Sequence, residues 1–121
     1  MEYFFDSSAI IEIILGSENY SRFENLQITT TTLHMSEVYY FLLKKYDQQT
    51  ADYWMKNLNL RLINTLKLDI AVEAARFRYT FEKEQLSYAD CIGYITASHN
   101  NIIFLARDKK FKDKKNAEFV E

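Results

Sequence analysis

Apolar positions along this chain recur at two spacings, and the change from one spacing to the other marks out its elements. Residues 2–5 read as a short apolar strand. "SSAIIEIILG" (7–16) then places Ile10, Ile11, Ile14 and Leu15 on one helical stripe, with Gly16 as the stop. "SENYSRFENL" (17–26) reads as a second, short helix. The β-branched run "ITTTT" (28–32) predicts a strand, followed by a long helix over "LHMSEVYYFLLKKY" (33–46). A helix over 48–60 carries Ala51, Trp54, Met55 and Leu58 on one face, and "LRLINTL" (60–66) predicts another strand. Asp69 is suited to cap a helix over "IAVEAARFRYTFEKE" (70–84), where Ile70, Ala74, Phe77 and Phe81 share a face. "SYADCIGYITASHNN" (87–101) is a helix rich in small residues. "IIFLA" (102–106) is apolar without alternation, as in a strand covered on both faces, and "EFV" (118–120) predicts a short edge strand.

Strands separated by helical segments imply right-handed crossovers. The expected fold is α/β and three-layered, with a mostly parallel central sheet flanked by helices. The 121 residues, with two Gly and no Pro, predict one domain over 1–121 and no linker. In such folds ligands bind beyond the carboxyl ends of the strands, so the residues at those ends become the candidates for chemistry.

Composition adds two things. Cys91 is the sole cysteine and fits a reducing compartment. No apolar stretch approaches the roughly 18 residues of a membrane span, and the N-terminus lacks a signal-peptide pattern. The expectation is a soluble cytoplasmic protein with no membrane partner. The formal net charge of −2 does not suggest a nucleic-acid binder, yet "RDKKFKDKK" (107–115) sets six basic residues against two aspartates. Taken alone, that run is a solvated loop.

Four acids fall at the predicted carboxyl edge. Asp6 ends the first strand, and Asp108 lies two residues past "IIFLA". Asp90 is in the first turn of the helix before that strand, and Glu37 is one turn into the helix after "ITTTT". Singly, each has a bland explanation. Asp6 could cap the first helix, Glu37 could be a solvated helix charge, and Asp108 a surface charge. In "SYAD", Ser87 and Asp90 match a capping box. Together they would repel each other unless a cation neutralised them, and carboxylate oxygens suit Mg²⁺ or Mn²⁺.

These residues carry a resemblance. "FDSSAII" (5–11), "SEVYYFLL" (36–43), "YADCIGYITA" (88–97) and "IIFLARDKKF" (102–111), in this order and at this spacing, resemble the PIN domain, a metal-dependent ribonuclease fold. Within it the chain is most similar to the compact VapC-type toxins of toxin–antitoxin pairs. The resemblance implies that Asp6, Glu37, Asp90 and Asp108 form the catalytic, metal-binding constellation and that Ser8 is its supporting hydroxyl. It implies an RNA substrate hydrolysed with Mg²⁺ or Mn²⁺, a VapB-type antitoxin as partner, and a homodimer through the helices bearing Tyr39, Tyr40, Tyr53 and Trp54. The number of ions, and which carboxylate orients the water, stay open. Arg107, Lys109, Lys110 and Lys112, adjoining Asp108, are then expected on the RNA backbone.

Two positions depart from the family pattern. Ala106 stands where the family often has Thr or Ser, and Lys110 where it often has a further acid, which favours an alternative: a catalytically weak PIN-like module that binds RNA or a partner. An RNA-processing nuclease without a toxin role is a further alternative. A response-regulator receiver domain fits poorly, because Ser7 rather than a second acid follows Asp6. His34 and His99 do not sit at ligand spacing, His99 reading as a helix C-terminal residue and Cys91 as a small buried one.

Overall fold

The computed structural model describes residues 2–64 and 66–121. Five strands make one sheet: β1 (Tyr3–Phe5), β2 (Ile28–Thr30), β3 (Leu60–Leu62), β4 (Ile103–Ala106) and β5 (Ala117–Phe119). Their order is β3-β2-β1-β4-β5, and every pairing is parallel. The sheet is thus wholly parallel among the described residues, where the sequence pattern predicts a mostly parallel one. The helices are α1 (Ser7–Ile14), α2 (Thr32–Lys45), α3 (Gln48–Asn57), α4 (Leu68–Thr80) and α5 (Tyr88–His99).

Strand alternation explains the three layers. Tyr3 and Phe5 of β1, with Leu105 of β4, face a core shared with Ala9 and Ile10 of α1, Val38 and Leu42 of α2 and Ala51 of α3. Phe4, Phe104 and Ala106 point the other way, against Ile70 and Ala74 of α4 and Cys91, Ile95 and Ala97 of α5. Phe4, Phe5 and Phe104 are fully buried, each side chain contributing about 1.5–3 kcal/mol over exposure. The two central strands, β1 and β4, pair Phe4 with Phe104 and Phe5 with Leu105. In that register β4 runs one residue further than β1, so Asp6 stands level with Ala106.

Several boundaries differ from the pattern. The segment 17–26 is a 3-10 turn over Glu18–Phe23, and "ITTTT" stops at Thr30 because Thr31 caps α2, its hydroxyl accepting from His34 N. Asp69 is not the cap of α4. Lys67 takes that position, and Asp69 lies in the first turn with Oδ1 accepting from Ile70 N at 2.8 Å. The helix expected through residue 84 ends at Thr80. A separate 3-10 turn covers Glu82–Glu84, and Gln85 turns the chain in the left-handed region at φ 57°. The third strand is only Leu60–Leu62, and Thr65, within its expected range, lies outside the described residues. Gly16 stops α1 as expected, at φ 72° just past the cap. Among the described residues, no helix is long and apolar enough to cross a membrane.

Candidate active site

Asp6 follows the last residue of β1 and is held there by its own backbone, whose N–H donates to Leu105 O at 3.0 Å. It occupies the N-cap position of α1 yet makes no side-chain capping bond. Oδ2 instead accepts from the Ser8 hydroxyl at 2.7 Å, and Ser8 Oγ in turn accepts from Arg107 N at 3.1 Å. One hydroxyl thus ties the end of β1 to the loop after β4. Oδ1 is buried with no hydrogen-bond partner, and the residue is only 3% exposed. An orphaned carboxylate oxygen in such a place costs free energy unless something satisfies it. Burial first, then the Asp90 charge and that of Glu37, push Asp6 up to about 7, against the Ser8 hydrogen bond, which lowers it.

Glu37 projects from α2, the exposed residue that follows one turn after the buried His34 and Met35. Its Oε1 accepts from Ser7 Oγ at 2.9 Å. Burial raises its pKa, as does the Asp90 charge, while the Ser7 bond lowers it. Asp90 completes the predicted capping box. Its N–H donates to Ser87 Oγ, and its Oδ2 accepts from Ser87 N, both at 3.0 Å. Asp6, Glu37 and Asp90 thus act on one another electrostatically. Asp108 lies on the same edge but turns inward on its own loop, Oδ1 accepting from Lys110 N at 2.9 Å to cap the 3-10 turn Lys109–Phe111.

The donor set is made of hard carboxylate oxygens, with one of them orphaned, and this suits Mg²⁺ or Mn²⁺. The side chains as they stand are not closed around an ion. Among the described residues, no three His, Cys, Asp or Glu side chains are placed to hold one. Glu37 and Asp90 are engaged by Ser7 and Ser87 instead.

His34 is a residue that sequence reasoning set aside. It is fully buried in α2, with Nε2 2.9 Å from Ala89 O of α5 and Nδ1 2.6 Å from Thr31 Oγ1. A carbonyl can only accept, so Nε2 carries the proton and Nδ1 accepts from the Thr31 hydroxyl. Burial lowers the imidazole to about 4, against the Ala89 bond, and keeps it neutral. Its Nε2 lies 3.8 Å from Asp6 Oδ1, too far to satisfy that oxygen. The ring fits because residue 93 is glycine: a Cβ there would come within 2.7 Å of Nε2. His34 therefore joins the helix of Glu37 to the helix of Asp90 directly behind Asp6. A mid-helix glycine in a chain with only two was the available signal.

The basic segment divides. Arg107 Nε is 2.9 Å from Glu12 Oε1 of α1, and Lys114 Nζ is 2.7 Å from Glu84 Oε1. Lys109, Lys110 and Lys112 are exposed. Among the described residues, none of these three has a carboxylate within ion-pair distance. On α2 and α3, Tyr40 and Tyr53 stay 63% and 57% exposed, while Tyr39 donates to Asp52.

The profile of the PIN domain family matches residues 3–117. The chain belongs to the PIN domain family. Its fold is also that of three solved structures. A toxin–antitoxin complex from Klebsiella pneumoniae is similar with a TM-score of 0.75 at 19% identity, over 98% of this chain and 96% of the other. VapBC2 from Rickettsia felis, solved with a promoter DNA fragment, gives 0.74 at 16% identity over the whole of both chains. Mycobacterium tuberculosis VapC20, a toxin that cleaves the sarcin–ricin loop, gives 0.74 at 14% identity over 98% of this chain and 99% of the other. No curated protein sequence matches. At these identities, the three structures speak for the PIN fold. At the carboxyl edge of its sheet, this chain sets Asp6, Glu37 and Asp90 within electrostatic reach of one another.

Proposed function

We propose that this protein is a metal-dependent endoribonuclease and the toxin of a VapBC-type pair. The observation that carries the reading is Asp6: a buried carboxylate with an orphaned oxygen, flanked by two further acids. PIN membership and the VapC-like neighbours support the same class.

Asp6, Glu37 and Asp90 would hold the ion, with Glu37 and Asp90 turning from Ser7 and Ser87 to do so, and Asp108 contributing directly or through water. When bound, a divalent ion supplies Lewis-acid stabilisation for phosphodiester hydrolysis. Ser8 fixes one oxygen of Asp6, so the other is presented in a constant direction. Where Asp108 reaches the ion only through water, its carboxylate would orient the attacking water and take its proton. Lys109, Lys110 and Lys112 attract and seat the RNA backbone beside Asp108. A VapB-type antitoxin would suppress cleavage by laying a segment over this edge. An Arg inserted between Asp6, Glu37 and Asp90 would replace the cation with a fork of donors. A second copy of the chain would cover Tyr40 and Tyr53.

A non-cutting RNA-binding module is the second reading. It is favoured by Asp108, which is spent on its own turn beside the buried Ala106. One assay separates the two. Purified protein should cleave single-stranded RNA with Mg²⁺ or Mn²⁺, stop in chelator, and lose cleavage with Asp6→Asn or Asp90→Asn while staying folded. Full activity in chelator, or none with either ion, would overturn the proposal.

A further inference from the structure

A cleft of about 390 Å³ opens where α4 ends and α5 begins. Its walls include Arg78, Tyr79, Glu82, Gln85, Ser87 and Tyr88. Two tyrosines stand in solvent there, Tyr79 at 77% and Tyr88 at 56% exposure. The Arg78 guanidinium lies over the Tyr88 ring, 4.3 Å from its centroid, and its Nε donates to Leu86 O at 2.9 Å. The guanidinium plane is thereby fixed, and its terminal nitrogens have no carboxylate partner among the described residues. Gln85, held in the left-handed region, sets the turn that carries the chain from Glu82 back to Ser87.

These groups suit one kind of occupant. Flat aromatic faces and a fixed guanidinium plane accept a flat π-system by stacking. Glu82 offers acceptors, Gln85 both donors and acceptors, and Arg78 donors, the set that reads the edge of an unpaired base. A phosphate alone would be repelled by Glu82, and a purely apolar side chain would waste the polar rim. The cleft also shares Ser87 with the site, because Ser87 caps α5 and binds Asp90. A base seated in the cleft would leave its backbone passing Asp90.

We infer that this cleft seats an unpaired nucleobase of the RNA, next to the phosphate that is cut, with Tyr79 and Tyr88 stacking and Arg78 and Glu82 reading its edge. The inference rests on the ribonuclease reading above and adds where specificity resides. Stacking on one aromatic is worth about 1–3 kcal/mol per base by alanine substitution, or roughly five- to 150-fold.

The test uses single-stranded RNA carrying 2-aminopurine at successive positions, bound to the intact protein in Ca²⁺. One position, adjacent to the cut site, should show quenched fluorescence. The quench should disappear in Tyr79→Ala/Tyr88→Ala, whose melting temperature should hold because both rings are exposed. In Mg²⁺ the double variant should raise KM at least ten-fold with a far smaller change in kcat, Tyr88→Phe should restore most of it, and Glu82→Gln should change the preferred base at that position. If wild type cleaves RNA but the double variant keeps its KM and its quench, the cleft inference is overturned and the ribonuclease reading stands. If the double variant loses only antitoxin binding, the cleft is a protein contact and the inference again fails. A wild type that cuts no RNA in either ion fails the ribonuclease reading instead.

Discussion

Gly93 and His34 are complementary: the ring of one occupies the space that a side chain on the other would fill, with only 2.7 Å between Nε2 and a Cβ placed on residue 93. Phe104 Cε1 stands 2.9 Å from the same point, so neither neighbour can yield easily. Gly93→Ala should therefore cost about 1–3 kcal/mol in urea denaturation. It should also weaken Mn²⁺ binding, because His34 would be displaced from Ala89 and the helices of Glu37 and Asp90 would part. Unchanged stability together with unchanged Mn²⁺ affinity would remove His34 from any part in shaping the site.

Asp6 ties stability to pH. In metal-free protein its carboxyl is raised from 3.8 to about 7, so the folded state holds a proton that the unfolded chain releases. The stability associated with that proton is fully present below about pH 4 and is lost as pH rises to about 7. Asp6→Asn removes the titration. Its advantage over wild type should grow between pH 4 and pH 7 and then level. The gain accrues at about 1.4 kcal/mol for each step of one in pH, reaching on the order of 4 kcal/mol. His34 works in the opposite sense. Lowered to about 4, it loses stability as pH falls from 6.5 toward 4 in both proteins, and so cancels in the difference. Denaturant midpoints at four pH values decide it, and a pH-independent difference would refute the buried-charge account.

Ion binding should displace the same proton. Near pH 6, uptake of Mg²⁺ or Mn²⁺ should release close to one proton from Asp6, and near pH 8 almost none. Calorimetry in buffers of different ionisation enthalpy counts the protons directly. Equal release at both pH values would place the ion away from Asp6.

The basic loop gives a salt-dependence test. Replacing Lys109, Lys110 and Lys112 by Ala should flatten the slope of log affinity for single-stranded RNA against log salt by roughly 1 to 2 units, at about 0.7 per phosphate contact. Arg107→Ala should change that slope less, because its guanidinium is already paired with Glu12. The measurement needs Ca²⁺ so that the RNA survives. If the lysine slope does not move, the segment is only a solvated loop.

Much of this arrangement was legible because it depends on short-range pattern. The change from Tyr3-Phe4-Phe5 to Asp6 marks a strand end, and "SYAD" marks a helix start, each within a few residues. What could not be read depends on contacts between distant segments. Asp69 looked like a cap because of its type, yet the backbone turned two residues earlier at Lys67. Phe81 continued the helical stripe, but α4 ends before it. His34 reads as a core residue until Ala89, Thr31 and Gly93 are placed around it. The partner of Arg107 was equally hidden, since Glu12 sits near the other end of the chain. Asp108 was found at the expected edge, but its side-chain bond to Lys110 N follows from loop geometry that spacing does not reveal.

The strand order has a consequence for how the protein comes into being. β1, which delivers Asp6, is hydrogen-bonded to β4 at the far end of the chain, and the Ser8 hydroxyl needs Arg107 N to complete its bonds. Pairing strands so distant in sequence carries a large loop-closure cost. A ribosome must therefore release the chain through Arg107 before Asp6 and Ser8 can take their places. A nascent or truncated chain lacking β4 would expose Phe4 and Phe5 and be a target for chaperones or proteases while it has no assembled carboxyl edge. The acidic edge thus stays unassembled until β4 has emerged.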